Sequence, residues 1–221
     1  MSDIVIFGAS EGAQVVHTYL KRYSDDRVVG FTVDAAYATS KRYDGLPLVP
    51  WERLDEVFPP TQVKLLGPIS YRRLNEFRRD RFLEGKARGY NFASFIHPSC
   101  VIDASEVGEH CFILAGTVIE PYTTIGNNAA IWGRTYIGHH SVIADHCFIS
   151  GEVVIGATTR LGERCFLGIR SGTTPGTTIG DGCFVSAGAF VTKSIPPGSV
   201  VRRADQLSIS QVPADRIRRL L

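Results

Sequence analysis

An aliphatic residue recurs at every sixth position from Val101 to Val191, and few folds can use such a period. The series runs Val101, Val107, Ile113, Ile119, Ile125, Ile131, Ile137, Ile143, Ile149, Ile155, Leu161, Leu167, Thr173, Ile179, Val185 and Val191, with Thr173 the one member that is not aliphatic. The residue two places earlier is small from Cys111 through Thr117, Ala129 and Ser141 to Cys183 and Ala189. A period of six suits neither an α-helix nor a plain strand, but it is a signature of a parallel β-helix. Strand side chains repeat every second residue, so the aliphatic residue and its small partner point the same way, inward. Three hexapeptides then close a triangular coil of about eighteen residues, and the run makes about five coils.

The spacing also disposes of most of the thiols. Cys111, Cys147, Cys165 and Cys183 all occupy the small inward slot, where they are expected to be buried, reduced and inert. Cys100 precedes the run and reads as a strand-edge residue, and none of the spacings is a zinc signature. A net charge of +2 over 221 residues provides no field for nucleic acid or an anionic membrane. The start, Met1-Ser2-Asp3-Ile4-Val5-Ile6-Phe7-Gly8, lacks the features of a secretory signal, and no apolar run is long enough to span a bilayer. A cytoplasmic location is the expectation.

Ahead of the repeat, residues 3 to 8, Asp3-Ile4-Val5-Ile6-Phe7-Gly8, read as a short buried parallel strand, followed by the loop Gly8-Ala9-Ser10-Glu11-Gly12-Ala13 and a helix through Val15, Val16, Tyr19 and Leu20. A second strand, Val28 to Val33, ends at Asp34. This order opens a Rossmann-like unit, whose loop lets backbone N–H groups approach a phosphate at a helix N-terminus. Ser10 and Ala13 stand where a dinucleotide fingerprint has glycine, which favours a nucleotide diphosphate attached to something other than nicotinamide. A short helix near Trp51 to Val57 and a strand at Val63 to Leu66 follow. A basic helix is expected from an N-cap at Ser70 to Lys86. Its arginines (Arg72, Arg73, Arg78, Arg79, Arg81) interleave with Glu76, Asp80 and Glu84 and read as a solvated face. A strand at 91–96 closes the N-terminal domain near residue 96. The column is expected over 97 to about 195, with Ile195-Pro196-Pro197-Gly198 ending it. A C-terminal helix over 213–221 would cover the column end with Ile217, Leu220 and Leu221.

Chemistry on such a column has to use its corners. His110, His140 and His146 fall three places after a repeat aliphatic, whereas His139 falls two places after Ile137. Corner histidines read first as surface residues, and the spacing of these is too wide for a shared metal. The Gly-Ala-Ser loop, Asp34, the segment Phe95-Ile96-His97-Pro98-Ser99 and the stretch Tyr136-Ile137-Gly138-His139-His140-Ser141 together span nearly the whole chain. In this combination the chain resembles the bacterial hexapeptide-repeat sugar acyltransferases, of the sialic-acid O-acetyltransferase and nucleotide-amino-sugar N-acetyltransferase type.

The resemblance implies an N-terminal Rossmann-like domain (1–96) that holds a sugar nucleotide near Gly8, Ser10, Gly12 and Asp34. It implies a left-handed parallel β-helix domain (97–221), and a homotrimer that binds acetyl-CoA as acyl donor between columns with active sites between subunits. His139 matches the family's catalytic histidine and would act as general base. His140 and Asp145 are candidates for its support, and Ala157, one coil on, for an N–H toward the acyl donor. The chain departs from the family at His140, where many members have an acid, and at Phe148, where a second histidine is usual. The expected activity is acetylation of the amine of a UDP-, dTDP- or GDP-linked deoxyamino sugar for surface glycans, without an acyl-enzyme or a metal. The other readings are sugar O-acetylation, a metal-dependent hydratase on the same column, and a non-catalytic trimeric nucleotide-binding protein.

Overall fold

The computed structural model describes residues 1–203. The expected C-terminal helix over 213–221 lies outside the described residues.

The N-terminal unit is built on β1 (Asp3–Phe7), α1 (Glu11–Tyr23), β2 (Arg27–Val33), β3 (Arg42–Tyr43), β4 (Leu46–Pro50), α2 (Leu54–Val57), β5 (Lys64–Leu66), α3 (Glu76–Ala87) and β6 (Asn91–Phe92). The sheet order is β3-β4-β2-β1-β5-β6, parallel except for the β3–β4 hairpin. The central strand β1 is apolar from Ile4 to Phe7 because both its faces are covered there. Ile4 and Ile6 pack with Val16 and Leu20 of α1, while Val5 and Phe7 pack with Trp51, Leu54 and Phe82 on the other side. The basic helix starts at Glu76 rather than at Ser70. Arg73, Leu74 and Asn75 have φ of 53°, 49° and 65°, a left-handed run that an α-helix cannot include.

The column consists of two-residue strands on three faces of a left-handed prism. Seven strands from Phe95–Ile96 to Val200–Val201 form the first face, six from Val101–Ile102 to Phe190–Val191 the second, and five from Glu106–Val107 to Thr178–Ile179 the third. From Phe112 to Val191 successive strands pair eighteen residues apart, as Phe112 with Ala130 and Ala130 with Phe148, while the closing pair, Phe184 with Val200, is sixteen apart. The inward residues from Ile113 to Val191 are buried, and so is each small residue from Cys111 to Ala189. Burial pushes the Cys111 thiol up to about 11 and holds the Cys147 thiol well above its ordinary value. These thiols are uncharged packing groups, as their slot requires.

Three expectations are corrected. Val101 is 54% exposed and Ile102 takes its inward slot, because Val101 pairs with Val118, seventeen residues on. Phe95–Ile96 does not continue β6; it pairs with Phe112–Ile113 as the first rung of the column. Nor does the column stop at Pro196, since Val200–Val201 still pairs with Phe184–Val185. The exception at Thr173 has a reason. Its hydroxyl accepts the Gly156 N–H at 3.0 Å and bonds Thr159 Oγ1 at 3.1 Å, replacing a ladder carbonyl inside the core.

From His110 to Gly188 each corner turns on one left-handed residue. His110, Gly116, Tyr122, Asn128, Arg134, His140, His146, Glu152, Thr158, Arg164, Arg170, Gly176, Gly182 and Gly188 all have φ between 54° and 72°. Short polar side chains and glycine tolerate that conformation best, which fits the Asn, His and Gly on the series.

The N-terminal unit covers the first face and is pinned along the vertex between the third and first faces. Arg78 of α3, 1% exposed, donates from Nη2 to His146 O at 2.7 Å and Cys147 O at 2.8 Å. Asn75 donates to Arg164 O at 3.1 Å and Cys165 O at 3.0 Å, one coil further on. Asn128 Nδ2 reaches Arg78 O at 3.3 Å, and Gly67 N–H donates to His110 Nε2 at 2.8 Å. Arg78 is therefore not part of a solvated face. Burial lowers its guanidinium to about 10, which leaves it charged at neutral pH.

Candidate active site

The histidines separate by vertex. His110 and His146 lie on the third–first vertex beneath α3 and are buried, not surface residues. Burial and the Arg78 cation push His110 down to about 3, and burial pushes His146 down to about 4, so both are neutral packing groups at pH 7. His139 and His140 lie on the second–third vertex, the edge of the prism opposite the face that carries the N-terminal unit, and both are exposed.

Their rings meet: His139 Nδ1 is 3.0 Å from His140 Nδ1. Two neutral imidazoles in that contact must share one proton, with one ring donating and the other accepting. With His139 as donor, its Nε2 keeps a free lone pair directed away from the pair. The His140 ring packs against Tyr122 at 4.6 Å between centroids, which holds it in place beside His139. Glu120, one coil below, accepts the His139 backbone N–H at 2.9 Å. The Tyr136 hydroxyl and that N–H hold the Glu120 carboxyl below its ordinary value, so a fixed negative charge lies beside the histidine pair.

Ala157 sits one coil above His139, and Thr158 N–H donates to His139 O at 2.8 Å. Among the described residues nothing accepts the Ala157 N–H. A Cβ at Gly138 would come within 2.6 Å of Ala157 N, so only glycine leaves room for this approach. Asp145 does not join the group. It is on the third–first vertex, where its Oδ1 accepts the Asn127 N–H at 2.7 Å in a ladder of corner acceptors. Phe148 is buried on the first face, against Tyr71 and Trp132.

The predicted nucleotide residues converge at the C-terminal ends of β1 and β2. A cleft of about 300 Å³ brings together Gly8, Ser10 and Asp34, with Ile69, Arg72 and Phe77 on the opposite wall. Gly12 lies in the first turn of α1 and does not line the cleft. Ser10 is the N-cap of α1 but makes no side-chain cap bond among the described residues. Asp34 is held by Arg81 at 2.7 Å, which reduces the acid's freedom to bind a hydroxyl.

Sequence reasoning missed Glu120, Tyr136, Arg72 and the Asn75–Arg78 pair. Glu120 had a signal: it lies one coil of eighteen residues below Gly138, and so just under His139. Tyr136 had the same kind of signal, as the outward strand residue of that rung. The role of Arg72, Asn75 and Arg78 depends on how the loop before α3 folds back, and no local pattern carries it. Among the described residues no group of three His, Cys, Asp or Glu side chains is placed to hold a metal ion. No helix among them is long and apolar enough to cross a membrane.

Comparison with known proteins agrees with this architecture. Residues 122–157 match the family described as bacterial transferase hexapeptide (six repeats), and residues 158–193 match the hexapeptide repeat of succinyl-transferase. No curated protein matches the chain in sequence. Among solved structures, a histidine-to-asparagine variant of perosamine N-acetyltransferase from Caulobacter crescentus, in complex with CoA and GDP-perosamine, aligns with a TM-score of 0.81. It is 24% identical over 90% of this chain and 93% of that one. The acetyltransferase domain of PglB from Neisseria gonorrhoeae aligns at 0.78, with 22% identity over 90% and 96% of the two chains. WeeI from Acinetobacter baumannii aligns at 0.62, with 21% identity over 91% and 97%. The chain thus carries bacterial-transferase hexapeptide repeats over 122–193 on the two-domain fold of these acetyltransferases, as its sequence resemblance implied.

Proposed function

We propose that the protein is an acetyl-CoA-dependent N-acetyltransferase acting on the amino group of a nucleotide-linked amino sugar. The observation that carries this reading is the His139–His140 pair at an exposed vertex, with the unused Ala157 N–H one coil above. The solved relative in complex with CoA and GDP-perosamine supports the donor and the substrate class.

The amine nitrogen attacks the thioester carbonyl carbon, and its proton passes to His139 Nε2. The carbonyl oxygen becomes an oxyanion, which a backbone N–H such as that of Ala157 would stabilise. Collapse of the tetrahedral centre breaks the C–S bond, and the CoA thiolate takes up the proton from His139. His140 keeps the His139 proton on Nδ1, and its bond strengthens when the ring becomes imidazolium. Each residue is then used once, and no thiol of the chain is needed.

His139 is on the edge of the prism opposite its own chain's nucleotide cleft. Transfer therefore calls for a second copy, in keeping with a homotrimer with sites between subunits. The test is thiol release from acetyl-CoA against a panel of UDP-, dTDP- and GDP-linked amino sugars. His139→Asn should abolish release while the variant still folds, and His140→Ala should lower kcat by about ten- to a hundredfold as the tautomer is lost. Full activity of His139→Asn would overturn the assignment. Turnover only with a sugar hydroxyl would move the reading to O-acetylation.

A further inference from the structure

We infer that Glu120 supplies the counter-charge to the His139 imidazolium formed during transfer, and that Tyr136 holds the carboxylate in position to do so. This rests on the proposed acetyl transfer and gives a positioning role to two residues that the transfer itself does not use.

The arrangement follows from the stacking of coils. Glu120 N–H donates to Ile137 O at 3.0 Å, which places Glu120 beneath Gly138. Gly138 has no side chain to stand in the way, and Glu120 Oε2 accepts the N–H of the next residue, His139, at 2.9 Å. By covalent geometry an oxygen so bonded lies no more than about 7 Å from the near edge of that residue's ring. The Tyr136 hydroxyl, on the strand that leads into this corner, bonds the same carboxylate. Both donors belong to the rung above Glu120, so the carboxylate is fixed relative to the histidine pair.

Charge pairing separates Glu120 from other corner carboxylates of the column. Glu109 pairs with Lys86 at 2.9 Å, and Glu152 bridges Arg134 and Arg170. Glu120 has no lysine or arginine partner among the described residues; its bonds are to Tyr136 and the His139 N–H. The corners around it offer no fixed cation, being Pro121, Tyr122, His139, His140, Ala157 and Thr158. The other carboxylate at this vertex, Asp103, is a further coil below, about 10 Å under the histidines at the spacing of neighbouring strands. A half-buried carboxylate held by two donors and left without a cation is placed to receive one. The positive charge that arises at this vertex is the one on His139.

When the amine proton passes to His139 Nε2, the ring carries both protons, with Nδ1–H still on His140. Glu120 stays ionised throughout and takes no proton. It favours a charge that is absent from the ground state, which is where an interaction raises kcat. The acid that many members of the resembled family carry at the position of His140 is thereby replaced from the coil below.

Glu120→Gln keeps an acceptor for the His139 N–H and removes only the charge. A residue that merely shaped the corner would tolerate this change. A counter-charge would not: kcat should fall by about five- to thirtyfold, with KM for acetyl-CoA and for the amino sugar within about twofold of wild type. An unchanged kcat, or a loss confined to KM, overturns the inference. Should Glu120→Gln not fold, Tyr136→Phe frees the carboxylate and leaves the interior untouched. Its kcat should fall by about two- to fivefold at constant KM, and no fall overturns the inference equally. A second measurement does not depend on turnover. With the histidine backbone nitrogens isotopically labelled, the His139 amide is assigned by its absence from His139→Asn. It should move downfield as Glu120 ionises, and the movement should vanish in Glu120→Gln. If the wild type acetylates no acceptor, the proposed function falls and this titration still decides the contact. A His139 amide that ignores the carboxylate overturns the inference even in an active enzyme.

Discussion

Replacing Arg78 by methionine separates what its charge does from what its stem does. Arg78 lies over the Phe148 ring at 5.8 Å, and a methionine of similar length keeps most of that contact. What disappears are the two short bonds from Nη2 to His146 O and Cys147 O, together with a longer one to Asn75 Oδ1 at 3.3 Å. A hydrogen bond from a charged donor contributes about 1.5–3 kcal/mol net, so the two losses total roughly 3–6 kcal/mol. Against this, the variant no longer buries a guanidinium whose Nε and Nη1 have no partner, and relief of that desolvation returns several kcal/mol. The expected net loss for Arg78→Met is about 1–3 kcal/mol, and Arg78→Ala, which also opens a cavity, should lose about 3–5 kcal/mol. Urea unfolding followed by fluorescence suits the measurement, because Trp51 lies in the N-terminal core and Trp132 beside the column. The two signals should separate in Arg78→Ala, with the Trp51 transition moving to lower urea first. If Arg78→Met were as stable as the wild type within about 0.5 kcal/mol, the carbonyl bonds would contribute nothing net and the reading of a pinned domain would fail.

Two further outcomes follow from buried groups. His110 and His146 have folded-state values of about 3 and about 4, below an unfolded value of ~6.5, so the unfolded chain binds protons first as pH falls. Stability is fully present above pH ~6.5 and should decline through the window from 6.5 to 4.5, before most carboxylates titrate; a flat urea midpoint across that window would contradict the burial of both rings. Thr173→Val would complete the aliphatic repeat, yet it removes the acceptor of the half-buried Gly156 N–H, and a loss of about 1–3 kcal/mol in urea unfolding is expected.

The column was readable because its constraint is local and repeated: every inward slot from Ile113 to Val191 except that of Thr173 repeats the same choice of side chain. Val101 misled for the same reason. A pattern of six continues through it, while the backbone takes a seventeen-residue first coil that only the pairing reveals. His139 differed from the other histidines in phase, falling two places after Ile137, and was singled out by the family resemblance. Arg78 could not be read that way. Its neighbours Glu76, Arg79 and Asp80 are the composition of a wet helix, and its burial arises from the docking of α3 on carbonyls far along the chain. Asp145 looked close to His139 in sequence, but six residues on this column are a third of a turn and a different edge.

The eighteen-residue pairing also limits how this chain can change length. A whole extra coil would leave every side chain on its present face and simply make the column taller. A six-residue insertion would keep the interior equally well packed, yet it would hand each later residue to the next edge, taking the His139–His140 pair off the vertex it now occupies. The core accepts both changes alike. The length of this column is therefore held in place by its chemistry at the edges, and insertions surviving in natural variants should come in multiples of a full turn or swell out at the corners.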